Sequence, residues 1–301
     1  MRLVAAALAA FVLLAGCSAA PDGTPAAPPT NALSPEQAGR LDDTAPQRYV
    51  ALGDSFTAAP LVPLTDVADG CFRSDSNYPA LLADALGLRL TDVSCSGATT
   101  RNLVRRQSTV REASAPPQLR ALSDRTDLVT LGIGGNDFGL FGGLVQTCLQ
   151  LRSSDPQGAP CATSAAGERL VTQIPDIGRN VERALDRVAR HAPNARVVLV
   201  GYPRIAPTDG ACPQRLPFAA GDVVFGDRVV RELDEALAAA ADAAGAEYLD
   251  LYAASAGHDV CSAEPWVNGR RTRTGVALAF HPLAAGAHAT ATLLQDLIGA
   301  S

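Results

Sequence analysis

Short β-rich runs alternate with longer runs of helical periodicity through most of this sequence, and this alternation constrains the fold more than any other feature. The β-rich runs are RYVALG (48–53), LRLTDVSC (88–95), DLVTLGIGG (127–135), ARVVLVGY (195–202) and AEYLDLY (246–252). Three of them are almost continuously apolar, as expected for strands covered by helices on both faces. Helical periodicity marks residues 77–86, 167–191 and 227–245, and a last helix is expected after His281. The pattern predicts an α/β protein, a three-layer α/β/α sandwich with a central parallel sheet.

Polar residues and glycines follow three of the predicted strands, at the edge where open parallel sheets bind ligands. The first strand leads into Gly53-Asp54-Ser55, where the serine is either a helix cap or a nucleophile that a base activates. The third ends in Gly134-Gly135-Asn136-Asp137, where the Asn136 amide either belongs to a turn or donates to an oxyanion. Gly97 follows the second strand, either as a turn residue or as a backbone N–H donor in the same cleft. The pattern G-x-S-x-G is absent from the sequence, which disfavours an ordinary α/β-hydrolase.

A base for Ser55 has to come from four histidines. His191 lies at the Arg-rich end of a predicted helix, where a cation is favourable and solvated. His288 falls inside the last predicted helix, which indicates a structural role. His258 remains a candidate on a loop, but His281 in AFHPLAAG, just before the last helix, is the expected base.

Six cysteines follow the N-terminal region, whose residues 1–16 predict export as a signal peptide. An even number of cysteines in an exported chain predicts disulfides. No CxxC or HxxxH spacing favours a metal site, so no metal and no organic cofactor are expected. The pairing is open at this point, because sequence alone does not fix it.

Four motifs together resemble those of the SGNH or GDSL hydrolase family: GDSFTA (53–58), the glycine of SCSGATT (94–100), GGND (134–137) and HP (281–282). The resemblance implies a flavodoxin-like fold and ester hydrolysis through an acyl-enzyme. It also implies Ser55 as the nucleophile and His281 as the base. Gly97, Asn136 and the backbone N–H of Ser55 would form the oxyanion hole.

Three further segments are similar to the secreted actinobacterial lipase and esterase branch of this family: CFRSDSNYP (71–79), VSCSGATT (93–100) and HDVCSAEPWVNG (258–269). That branch implies sequential disulfides, Cys71–Cys95, Cys148–Cys161 and Cys212–Cys261.

One position departs from the family pattern, which places an aspartate three residues before the histidine to orient its ring. This chain has Leu278 there, and no carboxylate lies between Glu264 and His281. Some members of the branch use a backbone carbonyl instead, so we expect the carbonyl of Leu278 to orient His281. Asp259 and Glu264, from another loop, are the alternatives.

The N-terminal residues are expected to be a lipoprotein signal peptide (1–16), since their apolar run falls short of the roughly 20 residues that span a bilayer. The stretch LLAGCSAA resembles a bacterial lipobox, which predicts lipid on Cys17; the alternative is an ordinary signal peptide. Residues 17–45 are expected to form a flexible Ala/Pro-rich tether and residues 46–301 the hydrolase domain. These features predict an extracytoplasmic protein that is lipid-anchored to the cell membrane or secreted.

The formal net charge of −6, with no long basic run, argues against nucleic acid as a partner. The sequence therefore predicts a monomeric serine esterase or lipase that acts on small-molecule or lipid esters. The alternatives are a carbohydrate acetylesterase acting on cell-envelope glycans, and a non-catalytic surface lipoprotein that binds acyl or glycan ligands.

Overall fold

The computed structural model describes residues 47–110 and 113–299, so the expected signal peptide, Cys17 and the tether lie outside the described residues. Five parallel strands form the main sheet in the order β4-β1-β7-β8-β9, and two small antiparallel pairs lie in its loops. The strands of the sheet are β1 (Arg48–Gly53), β4 (Arg89–Asp92), β7 (Leu128–Gly132), β8 (Arg196–Val200) and β9 (Glu247–Leu249). The small pairs are β2 (Thr65–Asp66) with β3 (Arg73–Ser74), and β5 (Gln107–Ser108) with β6 (Ser114–Ala115). The helices are α1 (Ser55–Ala58), α2 (Tyr78–Leu86), α3 (Leu140–Leu151), α4 (Ala165–Thr172), α5 (Ile174–His191), α6 (Ala220–Ala244), α7 (Leu251–Ala254) and α8 (Ala284–Gly299).

Helices cover both faces of the sheet, and the side chains of β1 show how the two cores are divided. Val50 and Leu52 belong to the core that also contains the buried residues of α5 and α6. Tyr49 and Ala51, which point to the opposite face, belong to the core that contains α2 and α8. The predicted α/β/α sandwich with a parallel sheet is therefore confirmed.

The helix boundaries differ from the sequence prediction in two places. The helix expected over 167–191 is divided into α4 and α5, because Pro175 in the first turn of α5 lacks the N–H that would continue the hydrogen bonds of α4. The helix expected from residue 227 begins at Ala220, seven residues earlier by sequence number, despite two glycines in its first turns. Packing explains the extension, since Val223 and Phe225 are buried and Asp222 accepts hydrogen bonds from Cys161 and Ala162.

The strand order decides where the three polar motifs meet. Because β4, β1 and β7 are adjacent and parallel, the loops that follow them leave the same edge of the sheet side by side. In the described part of the chain, none of the helices has the length and apolar character needed to cross a bilayer.

Candidate active site

Ser55 lies where β1 ends and α1 begins, in a tightly packed turn. Asp54 caps α1 by accepting a hydrogen bond from the backbone N–H of Phe56 at 2.8 Å, and Ser55 is the first helical residue. Two residues before Ser55 the chain requires glycine, because a Cβ on Gly53 would lie 2.2 Å from Oγ1 of Thr57 and 2.7 Å from the carbonyl oxygen of Gly132. As a first-turn residue, Ser55 has a backbone N–H with no partner inside the helix. The turn thus presents both a hydroxyl and a backbone donor at the edge of the sheet.

His281 is the histidine that contacts Ser55. Its Nε2 lies 2.8 Å from Oγ of Ser55, and its Nδ1 lies 2.7 Å from the carbonyl oxygen of Ala279. A carbonyl only accepts, so Nδ1 carries the proton and Nε2 is the acceptor that faces the serine hydroxyl. The ring of Phe56 stacks on the imidazole at a centroid distance of 5.4 Å. Burial lowers the pKa of His281, while its hydrogen bond to Ala279 opposes that shift, so the imidazole is favoured in the neutral form that can accept a proton.

The carbonyl that contacts the ring belongs to Ala279, which corrects the sequence-based expectation of Leu278. The carbonyl of Leu278 is already occupied, because it accepts hydrogen bonds from Nδ2 of Asn268 at 3.0 Å and from the backbone N–H of His281 at 3.3 Å. Phe280 has a left-handed backbone with φ of 57°, and this turn directs the carbonyl of Ala279 toward the imidazole. The expectation of a backbone carbonyl thus fits the structure, but at the next residue.

Neither alternative carboxylate is among the hydrogen-bond partners of the His281 ring. Oδ1 of Asp259 accepts a hydrogen bond from the backbone N–H of Cys261 at 2.7 Å, and the side chain of Glu264 is exposed. His258, the second candidate base, stacks on Trp266 and its Nδ1 lies 2.7 Å from the carbonyl of Glu264. The other two histidines lie exposed on α5 and α8. Among the described residues, His281 is therefore the histidine that the fold brings to Ser55.

The two predicted oxyanion residues lie on the neighbouring loops. Gly97 follows β4 with φ of 79°, a conformation that favours glycine. Asn136 follows β7, and its Nδ2 donates to the carbonyl of Ala98 at 3.1 Å and lies 3.4 Å from Oδ2 of Asp54. The asparagine amide thus contacts both the loop of Gly97 and the residue before Ser55. The backbone N–H groups of Ser55 and Gly97 and the amide of Asn136 thus follow three adjacent parallel strands, at the same edge of the sheet.

Two buried polar residues that sequence reasoning did not assign hold these loops together. Asp137 accepts hydrogen bonds from the backbone N–H of Thr100 at 2.8 Å and from Nδ2 of Asn180 at 3.0 Å, which joins the loop after β7 to the loop after β4. Gln118 accepts from the N–H of Gly53 at 2.8 Å and donates to its carbonyl at 2.9 Å. The sequence offers a signal for Asp137, which is part of GGND, but none for Gln118.

A tyrosine after β8 completes the surroundings of Ser55 and was also missed. The hydroxyl of Tyr202 donates to Oδ2 of Asp54 at 2.6 Å and accepts from the backbone N–H of Gly135 at 2.8 Å. Burial raises the pKa of Asp54 to about 7, against hydrogen bonds from Tyr202 and Phe56 that lower it. Burial also raises the pKa of Tyr202 well above its ordinary value, so the phenol keeps its proton.

The three disulfides implied by the family resemblance are confirmed as Cys71–Cys95, Cys148–Cys161 and Cys212–Cys261. The first joins the loop after β1 to the loop after β4, and the third joins the loops after β8 and β9. In the described part of the chain, Cys148, Cys161 and Asp222 form a group of metal-ligating residue types. Its sulfurs are bonded to each other and its carboxylate accepts two backbone N–H groups, so it is a structural cluster.

The fold is an α/β/α sandwich with a parallel sheet, and a hydrogen-bonded serine–histidine pair and an asparagine amide lie at the carboxyl edge of that sheet. These features are typical of an α/β/α hydrolase. Comparison with known proteins gives the family. The model of the GDSL-like Lipase/Acylhydrolase family matches residues 51–289. The chain therefore belongs to the GDSL-like lipase/acylhydrolase family, and it is a carboxylic ester hydrolase.

Similar proteins come from Streptomyces, in agreement with the resemblance to an actinobacterial branch. Lipase 2 of Streptomyces coelicolor is 38% identical over 265 residues, covering 83% of this chain and 85% of the relative. An esterase of Streptomyces scabiei is 32% identical over 295 residues, covering 86% of this chain and 81% of the relative. The crystal structure of phospholipase A1 from Streptomyces albidoflavus NA297 matches with a TM-score of 0.68 and 28% identity, over 84% of this chain and 99% of that one. The extracellular lipase of Streptomyces rimosus matches with a TM-score of 0.70 and 28% identity, over 83% and 99%.

Proposed function

We propose that this chain is an extracytoplasmic serine esterase or lipase that hydrolyses carboxylic esters through an acyl-enzyme on Ser55, with His281 as the general base. The observation that carries the proposal is the 2.8 Å contact between Oγ of Ser55 and the unprotonated Nε2 of His281. A serine hydroxyl becomes an effective nucleophile when an adjacent base removes its proton. The hydrogen bond from Nδ1 to Ala279 supports this role, because it fixes the tautomer that leaves Nε2 free to accept.

In the first half of the reaction, Oγ of Ser55 attacks the ester carbonyl carbon and its proton moves to Nε2 of His281. The negative charge that develops on the carbonyl oxygen is stabilised by the N–H groups of Ser55 and Gly97 and by the amide of Asn136. The bond to the alcohol oxygen then breaks, and His281 donates its proton to that oxygen. In the second half, water gives a proton to Nε2 of His281 and its oxygen attacks the acyl carbon. The bond between that carbon and Oγ of Ser55 then breaks and His281 returns the proton to Oγ, which releases the carboxylic acid and restores Ser55.

The surface around the proposed site supports an apolar acyl group rather than the acetyl group of a glycan. Seven large apolar side chains are exposed among the described residues, and five of them lie on the loops that follow β1, β4 and β7. These five are Leu64, Val67, Val104, Val110 and Phe138. Leu64 and Phe138 are the most exposed, at 79% and 60%. Apolar side chains on these loops could contact an acyl chain and remove it from water, and the names of the relatives, lipase and phospholipase A1, agree with such a substrate.

The proposed location is outside the cytoplasm, either secreted or anchored by lipid on Cys17 through the tether of residues 17–45. The similarity to an extracellular Streptomyces lipase supports export, and the three disulfides fit an oxidising compartment. One chain supplies every group of the proposed site, so the enzyme is proposed to act as a monomer.

Labelling with a serine-reactive fluorophosphonate, together with a chain-length series of p-nitrophenyl esters, tests the proposed function. We expect the wild-type protein to be labelled at Ser55 and the variant Ser55→Ala to lose both labelling and hydrolysis while keeping the wild-type unfolding transition. Hydrolysis is expected to favour longer acyl chains over acetate. A folded Ser55→Ala variant with most of its turnover would contradict the mechanism, and strict preference for acetyl esters would contradict the acyl assignment.

A further inference from the structure

Tyr202 is a fully buried residue at the carboxyl end of β8 that belongs to none of the four family motifs. Its ring makes edge contacts with Phe56 and Phe141, at centroid distances of 5.1 and 4.8 Å. Its hydroxyl makes two hydrogen bonds at the centre of the site, accepting from the N–H of Gly135 and donating to Oδ2 of Asp54. A single phenol thus joins the loop that carries Asn136 to the residue that precedes Ser55.

The carboxylate oxygens of Asp54 accept hydrogen bonds of different lengths from three donors. Oδ1 accepts from the N–H of Phe56 at 2.8 Å, and Oδ2 accepts from Tyr202 at 2.6 Å. The amide of Asn136 also approaches Oδ2, but at 3.4 Å, a distance at which a hydrogen bond is weak. The phenol is therefore the principal donor to Oδ2, and the asparagine amide is held only loosely by the carboxylate.

We propose that Tyr202 is a positioning residue of the oxyanion hole: its hydroxyl satisfies Oδ2 of Asp54 and fixes Gly135, so that the amide of Asn136 stays available to the reacting oxygen. The inference rests on the proposed function, in which Asn136 has to donate to the developing oxyanion. If the hydroxyl of Tyr202 were removed, the amide of Asn136 would be the remaining described donor to Oδ2 of Asp54. The buried carboxylate would then attract this amide away from the reacting oxygen. Buried carboxylates require such donors, since an unpaired one is costly.

The second hydrogen bond acts on the backbone of the same loop. Gly135 precedes Asn136 and is packed against Tyr202 and Phe141, where an added Cβ would lie 3.0 Å from the phenol ring and 2.3 Å from the ring of Phe141. Its N–H donates to the hydroxyl of Tyr202, and a shift of this backbone would also move the adjacent Asn136. Loss of the hydroxyl would leave this buried N–H unpaired and allow the loop to relax.

The variant Tyr202→Phe tests the inference, because it keeps the ring contacts and removes only the hydroxyl. We expect kcat for a p-nitrophenyl ester to fall on the order of 10- to 100-fold with KM nearly unchanged, since small misplacements of catalytic groups cost rates of this size. The matched control is Tyr252→Phe, which removes another buried tyrosine hydroxyl bonded to an aspartate, Asp227, at 2.9 Å. The control is expected to lose comparable stability in urea unfolding and to keep its kcat.

A second variant, Asp54→Asn, decides the question if Tyr202→Phe does not fold. Asparagine retains one oxygen for the N–H of Phe56 and presents an amide where Oδ2 lay, so the hydroxyl of Tyr202 loses its acceptor. This loosens the contact of that hydroxyl with the N–H of Gly135 and should lower kcat through the backbone that carries Asn136. The inference is overturned if a folded variant keeps kcat within about threefold of wild type, which corresponds to less than about 0.7 kcal/mol. It is also overturned if the change is confined to KM, or if Tyr252→Phe loses kcat equally. Ser55→Ala in the same assay separates the two claims, because loss of activity there with no effect of Tyr202→Phe leaves the proposed function standing and refutes only the positioning role.

Discussion

If a neutral carbonyl rather than a carboxylate orients His281, then removing the charges of both candidate acids should leave catalysis almost unchanged. The perturbation is the double variant Asp259→Asn with Glu264→Gln. Asparagine at 259 keeps an oxygen acceptor for the N–H of Cys261, which Asp259 binds at 2.7 Å, so the loop should retain its structure. Glutamine at 264 changes an exposed side chain and leaves the backbone carbonyl that faces His258. Neither substitution alters the contacts of His281 with Ala279 and Ser55.

The two hypotheses differ by several orders of magnitude in rate. Loss of a triad acid costs about 10⁴-fold in kcat, or about 5.4 kcal/mol at 1.36 kcal/mol per decade. Substitutions away from special features change free energies by about 0.5 kcal/mol or less, which is roughly a twofold change in rate. We therefore expect the double variant to keep kcat within about twofold of wild type, with His281→Gln as the inactive control in the same assay.

The pH dependence of kcat/KM gives an independent measure of the same question. A base has to be neutral, so the rate falls as the pH drops through the pKa of His281, which burial places below its ordinary value of 6.5. A carboxylate beside the ring would raise that pKa, and its removal would shift the acid limb to lower pH. We expect the acid limbs of the double variant and the wild type to coincide. A shift to lower pH, or a loss near 10⁴-fold in a variant with wild-type unfolding, would refute the carbonyl as orienter and identify a triad acid.

Three other outcomes are expected from the described contacts and from the sequence. Asn136→Ala should lower kcat about 10²- to 10³-fold with little change in KM; steady-state kinetics check this, and a change in KM alone would indicate substrate positioning instead. Replacing the Cys212–Cys261 pair with serines should lower the free energy of unfolding by about 4 kcal/mol, and replacing the Cys148–Cys161 pair should lower it by about 3 kcal/mol. The difference follows from the sequence separations of 49 and 13, because a longer closed loop restricts the unfolded chain more. Urea unfolding that gives the reverse order would contradict this loop-entropy argument. Cys17→Ser should release the protein from the detergent phase of a partitioning assay, and unchanged membrane retention would count against lipidation.

The centre of the sheet could be predicted from the sequence because β1 and β7 are buried on both faces. Almost continuously apolar runs such as those of β7 and β8 are typical of strands covered on both faces, and all five predicted strands occur in the sheet. The helix ends were harder to predict, because they depend on tertiary contacts. The first turns of α6 contain Gly221 and Gly226, which have low helix propensity, but Asp222 binds two N–H groups of the loop before α4 and extends the helix.

The order of the motifs was sufficient to predict which serine and which histidine meet, but not which residue orients the histidine. The contact between Ser55 and His281, residues 226 positions apart, followed from the order of the motifs rather than from any local spacing. The orienting carbonyl could not be assigned to the right residue, because the answer depends on Asn268, whose amide occupies the carbonyl of Leu278. Tyr202 and Gln118 were missed for a similar reason, since each acts on a loop that is distant in sequence and adjacent only in the folded sheet.

The buried carboxylates of Asp54 and Asp137 connect segments of the site, and neither forms a described ion pair with His281. Asp54 accepts hydrogen bonds from residues that follow β7 and β8, and Asp137 accepts them from the loop after β4 and from α5. The ring of His281 instead contacts a backbone carbonyl and an aromatic side chain. Under the proposed mechanism this arrangement has a cost, because none of the described carboxylates is hydrogen-bonded to the imidazolium that forms after proton transfer. The stacked ring of Phe56 offsets part of that cost, since a cation over an aromatic face gains about 0.5–2 kcal/mol depending on its exposure to water. Because Phe56 directly follows Ser55 in α1, the same helical turn that presents the nucleophile also supports the charged form of its base.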